Sequence, residues 1–249
     1  MNLLLSIIIP TYGRDLTLKR CLDSIFIDSA NINTLFEVIV IDDAKSQSTK
    51  EIVESFSNTN FLYFTKNHNK FFNDKGAASS RNLGIKKAKG KYILFLDDDD
   101  YLGNGSLEKI FNIISKNNSK SFIWFNNLVR QLYSDKIRDN NCNLSDMMIK
   151  NLIPMGAFLI ERKKIKHFFD TSIKSHEDWL FLLENIFNLD CSYVPEIISV
   201  IDKTSKNSVS KNNQVHFYND FKYIYEKVPT DNKVVFEERL KILTFLKNL

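Results

Sequence analysis

Four consecutive aspartates, Asp97 to Asp100, follow a short apolar segment near the middle of this 249-residue chain. Carboxylates this close repel one another, and each unit of pKa shift corresponds to about 1.4 kcal/mol. The run therefore predicts a cation that offsets the repulsion. Hard oxygen ligands suit Mg²⁺ or Mn²⁺, with substrate phosphates completing the shell. A solvated acidic turn is the structural alternative.

Backbone geometry divides the four aspartates into two pairs. In an extended segment Asp97 and Asp99 share one face. Their Cα atoms would then lie about 6–7 Å apart, at a rise of about 3.3 Å per residue. We therefore expect Asp97 and Asp99 to face the metal and the ligand. Asp98 and Asp100 point the other way, where they would cap the next helix or order the loop.

Two other apolar segments also end in polar residues. The first runs into Pro10, Thr11, Tyr12, Gly13 and Arg14, and the second runs into Asp42 and Asp43. Ligands of open parallel sheets bind beyond the carboxyl ends of the strands, so we expect one site, suited to a nucleotide diphosphate. Asp42 or Asp43 would hydrogen-bond a base edge or a ribose hydroxyl. A turn into the next helix is the alternative.

Arg14, Lys75 and Arg81 are the candidate phosphate contacts, because an arginine fork matches phosphate oxygens. A surface charge is the alternative for each of them. The small residues of segment 76–80 would let a helix start approach a phosphate or a sugar closely. The chain contains no P-loop pattern, and no G-x-G-x-x-G follows its first apolar segment.

A candidate general base lies in the second half of the chain. Glu177 and Asp178 precede the apolar run 179–183 and follow Ser175. The dipole at a helix start favours an ionised carboxylate by about 0.3–1 kcal/mol, so either residue is suited to deprotonate an acceptor hydroxyl. The spacing of Ser175 and Asp178 also matches a capping box, whose role is purely structural. Both interpretations stay open.

Alternating strand and helix patterns position these residues. Apolar runs over 3–9, 36–41, 61–64 and 92–96 predict buried strands, and the segments between them have helical periodicity. This order predicts an α/β protein with a doubly wound, mostly parallel sheet flanked by helices. Further on we expect helices over 107–114 and 179–187, strands over 122–125 and 156–160, an irregular segment over 134–146, and a mobile loop over 203–213. The last segment, 234–249, predicts an amphipathic helix with Phe236, Leu240, Leu243 and Leu246 along one side.

Composition narrows the class of protein. A net charge of +4 is too small to argue for nucleic acid as a partner. The three cysteines, Cys21, Cys142 and Cys191, lie far apart and predict neither a disulfide framework nor a zinc site, which favours a reducing cytosol. No apolar stretch approaches 18 residues, so we expect no membrane span.

In their order, these motifs resemble the family 2 inverting glycosyltransferases, which have the GT-A fold. Residues 4–101 carry most of the resemblance, and 156–158 and 177–179 match more loosely. The segments that carry it are SIIIPTYGR (6–14), EVIVIDD (37–43), SRNLGI (80–85) and GKYILFLDDDD (90–100), followed by GAF and EDW.

The resemblance implies a UDP-sugar donor, a divalent metal and a hexosyl- or N-acetylhexosaminyl-transferase that inverts the anomeric carbon in one displacement. By position, Asp99 is the direct metal ligand together with Asp97, and Asp178, beside Glu177, takes the place of the catalytic base. The implied donor-binding residues are Pro10, Thr11, Tyr12, Arg14, Asp42, Asp43, Lys75, Arg81, Asp97 and Asp98.

The chain departs from the family pattern at three places. Gly13 stands where Asn is usual, and Ala44-Lys45-Ser46 replaces a common Gly-Ser-Thr. Ser205 sits where many relatives have a histidine that contacts the metal or the diphosphate, although Ser208 and Ser210 are kept. Lys203 or Lys206 would then supply the positive charge.

We expect residues 1–101 to form the donor-binding half, 102–200 the acceptor-binding half with the base, and 201–249 a mobile loop and C-terminal helices. The expected acceptor is a glycan or glycolipid of the bacterial surface, such as a lipooligosaccharide, a capsule or an O-antigen, and the expected location is the cytoplasm. Segment 234–249 is expected to pack on its own domain or on a second subunit, with a peripheral contact to the inner membrane face as the alternative.

Two other functions compete with this hypothesis. A sugar nucleotidyltransferase would carry a glycine-rich loop after the first strand, where residues 10–14 contain one glycine. A non-catalytic module that binds a nucleotide or a glycan would keep the strand-end site but would not need Asp178.

Overall fold

A computed structural model describes residues 3–30, 32, 35–56, 60–66, 76–173, 175–204 and 214–247. Lys75, Ser205 and Lys206, with most of the predicted loop over 203–213, lie outside the described residues.

The N-terminal half alternates strands and helices, as predicted. Its strands pair in parallel in the order β3-β2-β1-β4, with Thr11 opposite Asp42. Every residue of β1 and β2 is buried, which explains their continuous Ile and Val content. The elements are β1 (Leu5–Thr11), α1 (Asp15–Asp28), β2 (Phe36–Asp42), α2 (Gln47–Ser55), β3 (Phe61–Thr65), α3 (Ala77–Lys87) and β4 (Tyr92–Phe95).

The second half continues the same sheet. Among the described residues, the full order is β3-β2-β1-β4-β8-β6-β9-β5, and β7 pairs with β6. β8 runs antiparallel to β4 and β6, whereas β9 is parallel to β6. The two halves therefore share one sheet. The elements are β5 (Tyr101–Leu102), α4 (Ser106–Lys116), β6 (Phe122–Arg130), β7 (Lys136–Arg138), β8 (Phe158–Glu161), α5 (Glu177–Ile186), β9 (Cys191–Asp202), α6 (Gln214–Lys227) and α7 (Lys233–Lys247).

This architecture confirms the predicted α/β class, and it differs from the predictions in the second half. The segment 134–146, predicted to be irregular, contains β7 and the start of a 3₁₀ turn over Leu144–Met148. β9 and α6 were not predicted. On α7 the inward side carries Val235 and Arg239, whereas Phe236 and Leu240 are 52% and 48% exposed. Phe236 and Leu240, on the expected apolar side of that helix, are therefore not packed on the domain.

Two apolar clusters cover the two faces of the sheet, and β1 contributes side chains to both. Ile7 and Ile9 belong to the cluster with α1 and α4, whereas Ile8 belongs to the cluster with α3 and α5. A Cβ atom at Gly84 of α3 would lie 2.3 Å from Ile8 Cγ2. Glycine at this position therefore permits a close approach of α3 to β1, and that approach brings Arg81, three residues earlier, towards the strand ends.

Within the described part of the chain, no helix has both the length and the apolar character needed to cross a bilayer.

Candidate active site

A cavity of about 790 Å³ lies beyond the carboxyl ends of β1, β4 and β9, against the starts of α3 and α5. Its size is in the range of sites for small ligands and cofactors, about 300–1,000 Å³. The three strand ends predicted to converge, those of β1, β2 and β4, therefore do so, with Asp43 as the lining residue that follows β2. The lining residues are Pro10, Thr11, Tyr12, Arg14, Asp43, Gly76, Ala77, Ser80, Arg81, Asp97, Asp99, Asp100, Glu177, Ile201, Asp202 and Lys203.

The four aspartates form a turn, not an extended segment. The backbone N–H of Asp100 donates to the carbonyl of Asp97 across 3.1 Å. One carboxylate oxygen from each of Asp97, Asp99 and Asp100 lies within 4.8 Å of the others. The expectation that Asp100 faces away from Asp97 and Asp99 is therefore wrong, because the chain turns directly after β4.

Asp98 points away from the cavity and is fully buried. Its Oδ2 accepts hydrogen bonds from Thr11 Oγ1 at 2.6 Å and from Arg14 Nε at 3.2 Å. Burial raises the pKa of Asp98 to about 6, an effect that Arg14 opposes. Asp98 thus anchors two cavity residues from β1 and the loop after it.

Arg14 also reaches the aspartate turn. Its Nη1 donates to Asp99 Oδ2 at 2.8 Å, so the guanidinium joins Asp98 to Asp99. Tyr12, two residues earlier, is 68% exposed on the rim of the cavity. The segment after β1 therefore offers one fixed guanidinium, that of Arg14, and one accessible aromatic ring, that of Tyr12.

Arg20 and Asp202 hold the other side of the turn, and no sequence pattern predicted either residue at the site. Arg20 Nη2 donates to the carbonyl of Asp99 at 2.5 Å, and Nη1 pairs with Asp202. The backbone N–H of Asp202 donates to Asp100 Oδ1 at 3.0 Å. These contacts join α1 and β9 to the aspartates across sequence separations of 79 to 182 residues, which no local pattern reveals.

The electrostatics of the turn fit a hard divalent cation. Burial, followed by repulsion from Asp97, raises the pKa of Asp100 to about 8 and also raises the pKa of Asp99. A cation between these carboxylates would offset that repulsion. Mg²⁺ and Mn²⁺ prefer oxygen ligands of this kind, so Asp97, Asp99 and Asp100 fit such an ion.

Arg81 joins this turn to the second half of the chain. Its side chain is buried; Nη2 donates to Asp97 Oδ1 at 2.7 Å and Nη1 donates to Glu177 Oε1 at 2.8 Å. The guanidinium also lies over the ring of Phe169, 5.5 Å from its centroid. Arg81 is therefore a rigid bridge between the aspartate turn and the start of α5.

Asp42 and Asp43 have different roles. Asp42 is buried and does not line the cavity; it accepts hydrogen bonds from Ala44 N at 2.8 Å, Ser46 N at 2.7 Å and Tyr63 Oη at 2.9 Å. Asp43 does line the cavity, where it pairs with Lys66 at 2.8 Å and accepts from the N–H of Gly76 at 2.6 Å. Of the two predicted base or ribose contacts, Asp43 is the one that the cavity exposes.

The candidate base lies at the start of α5. Glu177 lines the cavity, and Asp178 lies behind it, where Oδ2 accepts from Asn151 Nδ2 at 2.8 Å and Oδ1 accepts from the N–H of Trp179 at 2.8 Å. Burial, then the charge of Glu177, raises the pKa of Asp178 to about 6. The capping box is absent, because Ser175 bonds to Asp220 instead.

Lys203 follows the last residue of β9 and lines the cavity. Its backbone N–H donates to the carbonyl of Arg130 at 3.0 Å, which fixes the point where the chain leaves the strand. Unlike Arg14 and Arg81, Lys203 has no ion pair with another described residue.

A family model described as glycosyl transferase family 2 matches residues 6–165. An uncharacterized glycosyltransferase of Haemophilus influenzae is 31% identical over 196 residues, which cover 74% of this chain and 72% of that protein. A poly(ribitol-phosphate) beta-glucosyltransferase of Bacillus spizizenii is 28% identical over 189 residues, but the match covers only 29% of that longer protein.

Two solved structures show the same fold. Residues 1–349 of Staphylococcus aureus TarS, in complex with UDP-GlcNAc, align with 99% of this chain and 72% of that chain, with a TM-score of 0.75 and 21% identity. A Pyrobaculum calidifontis mannosyltransferase in complex with GDP-Man and Mn²⁺ aligns with 97% of this chain and 69% of that chain, with a TM-score of 0.65 and 13% identity.

Proposed function

This chain belongs to glycosyltransferase family 2 and has the GT-A fold, and from that premise we propose that it transfers one sugar from a UDP-sugar to a hydroxyl group, with inversion at the anomeric carbon. The observation that carries the proposal is the Arg81 bridge, since it holds Asp97 and Glu177 around one cavity. A donor-binding aspartate and a base-bearing helix start are what a single-displacement transfer needs.

The donor is proposed to enter with its nucleoside against the segment after β1. Tyr12 is exposed enough to stack on the base, and a stacked base contributes about 1–3 kcal/mol in other nucleotide sites. Asp43 faces the same cavity and would accept a hydrogen bond from the base or the ribose. The complex of TarS with UDP-GlcNAc supports a UDP-sugar that carries an N-acetylhexosamine, and the relative named as a beta-glucosyltransferase supports a hexose.

Asp97, Asp99 and Asp100 are the residues proposed to hold Mn²⁺ or Mg²⁺, which when bound would neutralise charge on the departing diphosphate. Lys203 is proposed to supply a second positive charge beside the diphosphate. Arg14 and Arg81 already pair with carboxylates, so Lys203 is the cavity cation that remains available for the diphosphate among the described residues.

Asp178 is proposed to act as the general base. The acceptor oxygen forms a bond to the anomeric carbon while the bond from that carbon to the phosphate oxygen breaks, and the hydroxyl proton passes to the Asp178 carboxylate. A pKa near 6 leaves this carboxylate ionised at neutral pH yet more basic than an ordinary aspartate. Glu177, held by Arg81, is proposed to face the sugar.

The proposed acceptor is a glycan or glycolipid of a bacterial surface polysaccharide, a class that includes lipooligosaccharide and capsule. Relatives named for poly(ribitol-phosphate) support a polymer of this kind. The proposed location is the cytoplasm. Phe236, Leu240 and Phe245 are exposed on α7, so this helix is the proposed site of a peripheral membrane contact or of a dimer.

The family match over residues 6–165 argues against the nucleotidyltransferase alternative. A donor screen separates the proposal from a non-catalytic module. Nucleotide sugars would be tested by thermal shift with and without Mn²⁺, followed by mass spectrometry of nucleotide release in the presence of surface-glycan acceptors. A ligand at about 100 times its Kd adds about 2.7 kcal/mol, or about 5–10 °C for a chain of this size.

A UDP-sugar that stabilises the protein and is consumed supports the proposal. Stabilisation without turnover of any donor would favour the binding module. Equal stabilisation by UDP with and without Mn²⁺ would contradict the metal-dependent part alone.

A further inference from the structure

Asp220 of α6 holds Ser175, which lies three residues before the candidate base, Asp178. Its Oδ2 accepts two hydrogen bonds from Ser175, one from the backbone N–H at 2.8 Å and one from Oγ at 2.6 Å. Asp220 is buried, and Ser175 Oγ also lies 2.8 Å from His176 Nδ1. A carboxylate 45 residues away in the sequence thus fixes both polar groups of Ser175.

His176 lies between this tether and the two carboxylates, in a backbone conformation that is unfavourable for its side chain. Its φ is 61°, in the left-handed region, and only one other described non-glycine residue, Lys45, has a positive φ. The carbonyl of His176 accepts the first hydrogen bond of α5, from Leu180 N at 3.1 Å. The conformation of His176 therefore sets the direction in which α5 begins.

The same helix that carries Asp220 also packs on the His176 ring. Phe217 and Phe221 contact the ring edge-on, with centroids 4.7 and 4.9 Å away. A strained backbone persists only where surrounding contacts determine it, and here α6 supplies those contacts.

The local sequence favours a different arrangement. Ser175 and Asp178 have the spacing of a capping box, in which Ser175 would bond to the start of the helix and Asp178 would turn back to the Ser175 N–H. Such a box needs His176 in the helical region. Ser175 N–H donates to Asp220 and not to Asp178, and Ser175 Oγ–H also points to Asp220, so the box does not form and Asp178 Oδ2 stays on Asn151.

We propose that Asp220 is a positioning residue of this enzyme, which prevents the capping box and so keeps Glu177 towards the cavity and Asp178 on Asn151. The inference rests on the proposed function for its catalytic meaning. Without the tether, His176 returns to the helical region, Asp178 turns towards Ser175, and the base is lost while the aspartate turn after β4 is unchanged.

The test combines Asp220→Ala with His176→Gly. Glycine adopts φ near +60° without the penalty of a side chain, so α5 keeps its direction in the double variant even when the tether is absent. We expect Asp220→Ala to lower kcat at least tenfold with the Kd for UDP within twofold, and to speed hydrogen exchange in segment 175–181. In the His176→Gly background the same change should lower kcat less than threefold.

Glu226→Ala is the matched control, since Glu226 lies on the same helix and pairs with Lys222 on the surface. An equal loss from Asp220→Ala in both backgrounds, or a parallel loss of UDP affinity, would show a merely structural role and overturn the inference. If the unmodified enzyme transfers no sugar, the proposed function fails, and exchange in segment 175–181 still decides the tether: unchanged exchange in Asp220→Ala overturns it.

Discussion

Arg81 Nη2 donates to Asp97 Oδ1 across 2.7 Å, although the two residues lie on different elements. Since the same guanidinium also holds Glu177, a single buried side chain sets the distance between the aspartate turn and the start of α5. This geometry turns two separate sequence motifs into one site.

Replacing Arg81 with lysine should separate these two carboxylates. Lysine has one ammonium and cannot bond to Asp97 and Glu177 with the same planar fork. We expect kcat/KM to fall by at least about 10²-fold, the range seen when one preorganised donor is removed. The free energy of unfolding should fall by about 1–3 kcal/mol, less than for a fully buried pair because Asp97 is about one-third exposed.

Steady-state kinetics and denaturant unfolding check both values. Lys109→Ala is the control, because its ion pair with Glu196 is exposed. Wild-type kcat/KM in Arg81→Lys would contradict the bridging role.

Much of this site follows from the sequence. Buried parallel strands such as β1 and β2 have continuous apolar runs, so their ends, with Thr11, Asp43 and the aspartate turn, are predictable. The role of each aspartate within the turn cannot be predicted from the sequence. It depends on a hydrogen bond between Asp100 and Asp97 that replaces the extended geometry.

β9 is the clearest example of an element that the sequence pattern does not predict. It contains Pro195, which argues against a central strand because proline cannot donate to the ladder. The structure accommodates it with a register shift, in which Phe125 pairs with Val194 and Asn126 with Ile197. Without β9, Asp202 cannot be placed at the cavity from the sequence, and Lys203 is expected there only through the family resemblance.

The pH dependence of stability should reveal the cation site. In the metal-free protein the pKa of Asp100 is raised to about 8 and those of Asp98 and Asp178 to about 6. A folded state with raised carboxyl pKa values binds protons more tightly than the unfolded state, so stability falls as pH rises from about 4 towards 8. Mn²⁺ should raise the Tm more at pH 8 than at pH 5.

Asp100→Asn removes the largest of these pKa shifts and one of the proposed cation ligands. We expect its metal-free Tm to depend less on pH between 5 and 8, and its Tm to respond less to Mn²⁺. Thermal unfolding across this range in the presence of a chelator measures the first effect. A Tm response to Mn²⁺ that matches the unmodified protein at both pH values would exclude Asp100 from the cation site.

Asp178→Asn should separate binding from chemistry. The amide keeps the shape of the side chain and cannot accept the acceptor proton, so kcat should fall by at least about 10²-fold. Calorimetry should give a Kd for UDP within twofold of the unmodified enzyme, because Asp178 does not line the donor cavity. Unchanged turnover would remove Asp178 from the mechanism.

The pH dependence of kcat should reflect the raised pKa of Asp178. Protonated Asp178 cannot act as a base, so kcat should rise with pH through about 6 and then level off. The Asp178→Asn variant should lose this limb. A limb that persists in the variant would assign the titration to another group.

Lys203 should contribute to binding of the diphosphate and not of the nucleoside. Lys203→Ala is expected to raise the Kd for UDP about tenfold, which corresponds to about 1.4 kcal/mol. The weak binding of uridine should be unchanged. Lys203→Arg keeps the positive charge and should stay within threefold of the unmodified protein. Since the side chain is exposed, rising salt should reduce the difference between Lys203→Ala and the unmodified protein. Calorimetry at two salt concentrations tests this, and an equal loss for UDP and uridine would place Lys203 at the nucleoside or outside the donor site.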